Sequence, residues 1–251
     1  YAEADPSFDI DGIDAAHKLT ILASIAFGIP LQFDQVYIEG IRHITRDDVA
    51  YATKLGYRIK HLGIARRDDN GVQLRVHPTL VPQRHLLANV NGVMNAVLVK
   101  GDAVGQSLFY GAGAGAEPTA SAVVADIIDV TRTLTADPEN RVPHLAFQPD
   151  ALASLPVRPM AEIETACYLR LQALDQPGVL ADITRILADC GISIEALLQK
   201  EAPPSASIIP IILVVNRVRE QRMNEAIAAI EALDSIIAPV VRIRLEYLDS
   251  D

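Results

Sequence analysis

The sequence lacks several features that define large classes of proteins. It has no tryptophan and only two cysteines, Cys167 and Cys190, which excludes the disulfide framework of small secreted domains. No apolar run reaches the ~18 residues that a membrane-spanning helix requires. The histidines are scattered without zinc-binding spacing, so we expect no metal site. This composition favours a cytoplasmic protein without a membrane partner.

Positive charge is also scarce. The chain has 22 Lys and Arg against 32 Asp and Glu, which gives a formal net charge of −10. Binding to a phosphate backbone needs clustered basic residues, so we expect no nucleic-acid partner. Small charged ligands respond to local fields instead, and the net charge does not exclude them. The length of 251 residues, half of them hydrophobic, allows a large core and two domains.

A proline-bearing stretch divides the chain. Residues 136–160 contain five prolines and little periodicity, which predicts a linker over 136–165. Residues 1–135 form the first predicted domain. Its predicted elements are a helix from the N-cap Asp11 to Gly28, a helix over 46–55, a hairpin of 57–67 and 71–80 about Asn70-Gly71, a hairpin around Lys100–Asp102, and a helix from about Pro118.

Residues 166–251 form the second predicted domain. Their pattern predicts the order strand, helix, strand, strand, helix, strand, which is the ferredoxin-like βαββαβ arrangement. The predicted strands are 167–173, 192–200, 207–215 and 239–247, and the predicted helices are 178–190 and 219–233. We therefore expect an α+β protein in which a mixed-sheet domain precedes a ferredoxin-like domain.

The first 28 residues crowd acidic side chains around one lysine. Five carboxylates precede Lys18: Glu3, Asp5, Asp9, Asp11 and Asp14. Asp14 and Lys18 are four apart and share a helix face, an arrangement that is usually a solvated surface pair. Here that face continues to Ile21 and Ile25, and residues 19–27 are almost entirely apolar, which predicts a buried helix. We interpret Lys18 as a cleft residue that can donate a proton or stabilise a developing alkoxide.

Several segments resemble homoserine dehydrogenases. They are EADPSFDIDGIDAAHKLTILASIAFG, YIEGI, LGYRIKHLGIA and VNGVMNAVLVKGDAVGQSLFYGAGAGAEPTASAVVADI, and the resemblance runs from Glu3 to about Val130. It implies a catalytic and dimerisation domain and reversible hydride transfer between NAD(P)H and L-aspartate 4-semialdehyde, which gives L-homoserine. It does not distinguish NAD from NADP.

The resemblance also implies roles for the acidic residues. Lys18 corresponds to the proton donor to the carbonyl oxygen, and Asp14 orients the substrate or the lysine. Glu3 and Asp9 correspond to substrate-binding residues, which suits an amino-acid substrate because its ammonium group needs carboxylate partners. Asp5 and Asp11 are assigned mainly to turn and cap geometry, and we expect His17 to pack.

A glycine-rich loop precedes the helix at Pro118. By itself the alternation of glycines favours a tight strand-to-helix turn. The resemblance implies that Gly113 and Gly115 lie near the nicotinamide as cofactor contacts. The sequence contains no strand followed by G-x-G-x-x-G, the fingerprint of a dinucleotide-binding domain. We therefore expect the chain to be the C-terminal part of a longer polypeptide and to be inactive alone.

The segment LDQPGVLADITRILADCGISIEALLQK, residues 174–200, resembles the ACT domain. Its strand-to-helix turn offers free backbone N–H groups to a carboxylate. The resemblance implies a regulatory ligand site at Asp175, Gly178 and Gln199, with threonine as the feedback effector. The alternative is that the turn is only a helix cap and that the domain serves assembly.

Two functions remain open at this point. The first is a homoserine dehydrogenase of threonine and methionine biosynthesis, and the second is a non-catalytic amino-acid sensor built on a degenerate dehydrogenase scaffold. The set of Glu3, Asp9, Asp14 and Lys18 favours the enzyme, since no structural need demands all four. An exposed sheet face predicts a homodimer, and pairing of ACT domains could extend it to a homotetramer.

Overall fold

The structure is a computed structural model that describes residues 5–134, 143, 145–199 and 207–248. Its helices are α1 (Ser7–Ile10), α2 (Ile13–Phe27), α3 (Arg46–Lys54), α4 (Ala116–Thr133), α5 (Val179–Asp189) and α6 (Glu220–Glu231). Its strands are β1 (Tyr37–Ile38), β2 (Tyr57–Asp68), β3 (Gly71–Pro82), β4 (Met94–Gly101), β5 (Gly105–Ala112), β6 (Glu164–Leu174), β7 (Ile194–Gln199), β8 (Ile208–Arg219) and β9 (Val241–Leu245). The elements from β6 to β9 follow the predicted βαββαβ order, and we call them the ferredoxin-like unit.

Glycines define both ends of helix α2. Gly12 is the N-cap residue with φ of 84°, and Gly28 closes the helix with φ of 62°, both in the left-handed region that glycine tolerates. The prediction of Asp11 as the N-cap was wrong. Its carboxylate bonds to Arg42 instead, and a short helix α1 precedes it.

Helix α2 is buried on one face only, so the expectation of a helix buried all round was wrong. Ala16, Leu19 and Ala23 pack in a core with strand β3. Ile21 and Ile25, on the face of Lys18, are 48% and 41% exposed. An apolar composition by itself does not tell which neighbours cover a helix face.

One mixed sheet runs through most of the molecule. The predicted hairpin of β2 and β3 is confirmed, with Asp68 paired to Gly71 across the turn. The sheet order is β1-β3-β9-β6-β8-β7, with β2 on the other edge of β3. Strand β3 pairs in parallel with β9 through Thr79–Arg244 and Leu80–Leu245. The ferredoxin-like unit therefore continues the sheet of the first domain, which the sequence did not predict.

The described part of the predicted linker lies along the first domain. Val72 N–H donates to Pro156 C=O at 2.9 Å, and Arg158 N–H donates to Val72 C=O at 2.8 Å. A Cβ at Gly71 would overlap the Pro156 carbonyl oxygen, which explains the glycine there. Residues 135–142 and 144 lie outside the described part, and the domain boundaries stay a prediction.

Buried ion pairs join the two domains. Arg244 of β9 bonds to Glu220 of α6 at 2.9 and 3.0 Å and to Glu39 of the first domain at 2.6 Å. Arg75 of β3 bonds to Glu246 at 2.6 Å, and both side chains are almost fully buried. Such pairs cost desolvation energy, which their charged hydrogen bonds offset, and their defined geometry orients the two domains along the shared sheet.

A histidine beside these pairs stays neutral. Arg75 donates to His77 Nε2 at 2.9 Å, and only an unprotonated nitrogen can accept that bond. Burial, together with the charges of Arg244 and Arg75, lowers the pKa of His77 well below its usual value. His77 is therefore uncharged at physiological pH.

A third buried contact ties helix α3 to β6. Asp48 caps α3 with Thr45 and accepts hydrogen bonds from Arg170 at 2.6 and 3.0 Å and from Tyr168 at 3.0 Å. Burial alone would raise the pKa of Asp48, but the bonds from Arg170 and Thr45 hold it below its usual value. The ionised carboxylate thus stabilises the folded state above the pKa of Asp48 in the unfolded chain.

We expect Asp48→Asn to lower the free energy of unfolding at pH 7 and to flatten its pH dependence. Because the pKa is lower in the folded state, the wild-type protein loses this stabilisation as the pH falls through the folded-state value, below about pH 4. Urea denaturation at pH 7, 5 and 3 measures both effects. Exposed Asp47, in the same helix turn, provides the control variant Asp47→Asn. If the free energy of unfolding of Asp48→Asn falls between pH 5 and pH 3 as much as that of the wild type, the prediction is contradicted.

None of the helices in the described ranges is long and apolar enough to cross a membrane. Within the same ranges, no group of three or more His, Cys, Asp or Glu side chains could hold a metal ion.

Candidate active site

The predicted lysine and aspartate meet on the exposed face of helix α2. Lys18 Nζ lies 2.5 Å from Asp14 Oδ2, and the two side chains are 67% and 35% exposed. The contact follows from the i,i+4 spacing, which places both side chains on one side of the helix. An ammonium group on open surface, held by one carboxylate, can donate a proton to a ligand that lies against this face.

An acidic loop leads into this helix. We give that name to residues 5–12, which contain α1 and the N-cap Gly12. Asp5 accepts hydrogen bonds from the N–H and hydroxyl of Ser7 at 3.0 and 2.6 Å, so its predicted role in turn geometry is confirmed. Asp9 is exposed on α1, and its carbonyl accepts the Gly12 N–H at 3.1 Å. Glu3, the other predicted substrate-binding residue, lies outside the described residues.

The junction between α1 and α2 is tightly packed. A Cβ at Gly12 would lie 3.0 Å from His61 Cε1 and 3.1 Å from Val76 Cγ1. Only glycine combines this close approach with the positive φ of the N-cap. The start of α2, and with it Asp14 in the first turn, is therefore fixed against strands β2 and β3.

His17 packs between two aromatic rings. Its ring centroid lies 4.2 Å from that of Phe33 and 5.7 Å from that of Phe8, with both pairs stacked. The expectation that His17 packs, although it is next to Lys18 in sequence, agrees with this geometry.

Sequence reasoning missed Arg42. Its guanidinium bonds to both carboxylate oxygens of Asp11, at 2.5 and 2.9 Å, and to the hydroxyl of Ser7 at 3.0 Å. The hydrogen bonds from Arg42 lower the pKa of Asp11, so this carboxylate is ionised at neutral pH. The partners are 31 residues apart, and no periodic pattern reveals such a pair.

The glycine-rich loop lies at the base of the hairpin of β4 and β5. Gly113 donates its N–H to Val93 C=O at 3.0 Å, and a Cβ there would overlap the side chain of Asn95. Gly115 is the N-cap of α4 with φ of 126°. The positive φ of Gly115 favours glycine there, whereas a Cβ at Gly113 would displace the exposed side chain of Asn95. Both glycines also leave backbone exposed at a helix start, where N–H groups lack intrahelical partners.

Large apolar side chains are exposed on α4 and on the neighbouring hairpin. None of the residues of α4 is buried. The exposed apolar residues are Val123, Val124, Ile127, Ile128 and Val130 on α4, and Val97, Val99, Phe109 and Tyr110 on the hairpin. A surface of this kind is typical of contacts with another domain or subunit.

The structure places the predicted regulatory residues at one end of the ferredoxin-like unit. Gly178 is the N-cap of α5 with φ of 97°, and a Cβ added there would meet no atom within 4 Å outside its chain neighbours. Asp175 follows β6 and is exposed, and Gln199 ends β7. Strand β8 lies between β6 and β7, and it pairs with Leu174 at Ile208 and with Gln199 at Ile211, so the two strand ends are about 14 Å apart.

Comparison with known proteins agrees with this architecture. The family profile described as homoserine dehydrogenase matches residues 1–128, and the profile of the ACT domain matches residues 168–233. The class is therefore that of α+β proteins in which a mixed-sheet domain is followed by an ACT domain. The chain belongs to the homoserine dehydrogenase family.

Individual relatives extend over nearly the whole chain. Homoserine dehydrogenase of Pseudomonas aeruginosa is 66% identical over 249 residues, which are 99% of this chain and 57% of that protein. The enzyme of Neisseria gonorrhoeae is 54% identical over 99% of this chain and 57% of its own length. A crystal structure of a homoserine dehydrogenase from Thiobacillus denitrificans is 66% identical and has a TM-score of 0.91, covering 99% of this chain and 56% of that one. The chain thus spans little more than half the length of these relatives.

Proposed function

We propose that this chain carries the substrate site of an NAD(P)-dependent homoserine dehydrogenase, an oxidoreductase of threonine and methionine biosynthesis. The contact between Lys18 and Asp14, on an exposed helix face beside an acidic loop, is the observation that carries the proposal. The family membership and the relatives named homoserine dehydrogenase support it. None of the described contacts favours the alternative of a non-catalytic sensor.

The proposed reaction reduces the aldehyde of L-aspartate 4-semialdehyde to the alcohol of L-homoserine. Lys18 donates a proton to the carbonyl oxygen as negative charge develops there, and it takes the proton back in the reverse direction. Asp14, 2.5 Å from Lys18 Nζ, holds the ammonium group in place. Asp9 and Glu3 provide carboxylates for the substrate ammonium, which orients the aldehyde toward Lys18.

A nicotinamide dinucleotide, either NAD or NADP, would supply the hydride when bound. The described residues that fit its reactive end are Gly113 and Gly115, where exposed backbone leads into α4. The strand that leads into residues 111–116 belongs to an antiparallel hairpin and not to a βαβ unit, so the fit does not extend to the pyrophosphate.

The exposed apolar surfaces support a proposal about assembly. We assign the face of α4 and the hairpin of β4 and β5 to contacts with a nucleotide-binding domain and with a second subunit. A homodimer results, and pairing of the ferredoxin-like units would extend it to a homotetramer.

The test uses the complete polypeptide that contains this chain. Reduction of NAD and NADP is followed with L-homoserine as substrate, with L-serine and L-threonine as control amino acids. Turnover that depends on homoserine supports the proposal. A folded protein that binds the cofactor but shows no turnover would contradict it and favour the sensor.

Threonine is the proposed effector of the ferredoxin-like unit, because its carboxylate suits the start of α5 and its ammonium group suits Asp175. We expect Asp175→Ala to raise the threonine concentration for half-inhibition by about 10-fold or more, since a charged hydrogen bond contributes about 1.5–3 kcal/mol. Exposed Asp189, at the other end of α5, provides the control variant Asp189→Ala. Equal inhibition of both variants and wild type would reject this site.

A further inference from the structure

A short segment lies between the acidic loop and the ferredoxin-like unit. We call residues 37–42, with the sequence YIEGIR, the coupling segment. It begins with strand β1, whose two residues pair with β3, and it continues without regular structure. Its two ends contact different domains, so we describe them in turn.

The C-terminal end of the coupling segment packs against the acidic loop and hydrogen-bonds to it. Ile41 N–H donates to Ile10 C=O at 3.0 Å. A Cβ at Gly40 would lie 2.7 Å from Ile10 O and 2.9 Å from the Cα of Asp11, so the two backbones are in direct contact. Arg42 completes the contact with its paired bonds to Asp11. Paired hydrogen bonds between guanidinium and carboxylate fix orientation as well as distance.

The N-terminal end of the segment is held by the ferredoxin-like unit. Glu39 accepts hydrogen bonds from Arg244 Nη1 at 2.6 Å and from the Tyr37 hydroxyl at 2.8 Å. Arg244 also donates to the Tyr37 hydroxyl at 3.1 Å, and it is fully buried against Glu220. A displacement of Arg244 would therefore move or release Glu39.

The first domain holds the same residue from the other side. His61 Nε2 lies 3.0 Å from the Glu39 carbonyl oxygen, which can only accept, so Nε2 carries the proton. The ring of His61 also lies beside the N-cap of α2, where a Cβ at Gly12 would be 3.0 Å from His61 Cε1. Glu39 is thus one residue from the backbone contact with the acidic loop and shares a neighbour with the helix of Lys18.

We propose that Arg42 is a positioning residue for the substrate site and that Glu39 links its position to the ferredoxin-like unit. This inference rests on the proposed function, because the acidic loop carries Asp9 of the substrate site. Arg42 contacts neither Lys18 nor Asp14 and acts through Asp11. Exposed ion pairs contribute little to global stability. We therefore expect loss of Arg42 to make the acidic loop less ordered and to weaken substrate binding.

The first experiment compares Arg42→Ala and Arg42→Lys with wild type in the complete polypeptide. Hydrogen–deuterium exchange of the peptide that covers residues 5–12 reports the order of the loop, and homoserine-dependent kinetics report affinity. We expect exchange and KM for homoserine each to rise by about 3- to 5-fold in Arg42→Ala, the upper range for loss of an exposed ion pair. The kcat and the KM for the nicotinamide cofactor should change less than about 2-fold. The exchange rate and KM of Arg42→Lys should lie between those of wild type and Arg42→Ala, since lysine keeps the charge but cannot form the paired contact.

Arg67 provides the matched control, because it is an exposed arginine of the same domain on strand β2. Arg67→Ala should leave both the exchange and the kinetics unchanged. If residues 5–12 exchange at the wild-type rate in Arg42→Ala, the inference is overturned. It is also overturned if they exchange faster while KM for homoserine stays unchanged. If the wild-type protein shows no homoserine-dependent turnover, the proposed function is overturned, and with it the effect of Arg42 on substrate affinity. The exchange rates would still show whether Arg42 holds the acidic loop.

The second experiment tests the link through Glu39. We expect Glu39→Gln to accelerate exchange in residues 5–12 by about 2-fold or more, because a neutral amide holds Arg244 less strongly than a carboxylate does. Exchange in α5, which is remote from Glu39 in the contacts above, is the internal reference. Wild-type exchange of the loop in Glu39→Gln would reject the link, whatever the outcome for Arg42.

Discussion

Replacing Lys18 with methionine is expected to lower kcat for homoserine oxidation by about 10²- to 10⁴-fold, the usual contribution of a positioned acid or base. Methionine keeps the length and the apolar stem of lysine but cannot transfer a proton. Because the lysine side chain is 67% exposed, its replacement should not unfold the protein. The measurement is steady-state turnover in the complete polypeptide, with circular dichroism and cofactor binding as checks of folding.

Lys54 supplies the control for this prediction. It is an exposed lysine in the last turn of α3, and Lys54→Met should keep wild-type turnover. A Lys18→Met variant with more than about a tenth of wild-type kcat would remove Lys18 from the proton transfer. The proposed reaction would then need another donor.

The second large effect is expected from Arg244→Ala, which should lower the free energy of unfolding by about 3–5 kcal/mol, as for other broken buried ion pairs. The variant leaves Glu220 buried without its main partner and leaves Glu39 without the 2.6 Å contact. Burial alone would raise the pKa of Glu220, and the hydrogen bonds from Arg244 are the largest influence that holds it below its usual value. Thermal and urea denaturation measure the loss.

Two further variants separate the ion pair from general disruption. Arg217→Ala, at an exposed position of β8, should change stability by less than about 0.5 kcal/mol. The double variant Arg244→Met with Glu220→Gln removes both charges and should recover part of the stability, because an uncompensated charge is the main cost. Equal losses in Arg244→Ala and Arg217→Ala would show that the buried contact does not hold the domains together.

Local chemistry made part of the fold predictable. The turn after Asp68 follows from local turn residues and alternating strands, and the capping box of Thr45 and Asp48 closes within one helix turn. The pairing of β3 with β9 joins residues more than 160 positions apart. Such a pairing leaves no local pattern, since each strand shows only that it is a strand.

The candidate site likewise contains contacts that local sequence predicts and contacts that depend on the tertiary fold. The contact between Lys18 and Asp14 follows from their spacing on one helix, whereas the contact between Arg42 and Asp11 depends on the tertiary fold. The exposure of Ile21 and Ile25 was misjudged, because hydropathy does not reveal which side of a helix its own domain covers. Glu3 and the two cofactor glycines stay predictions.

Strand β3 offers one edge to two different partners, β1 at Arg75 and Val76 and β9 at Thr79 and Leu80. The ferredoxin-like unit is therefore not structurally independent of the first domain. Cutting the chain before β6 would leave an open strand edge and would strip Arg75 of Glu246, conditions that favour aggregation. Shuffling of this unit between enzymes would require its new host to supply a matching strand edge and a matching buried cation. Loss or exchange of the unit is thus constrained by the strand edge and the buried charges of the first domain.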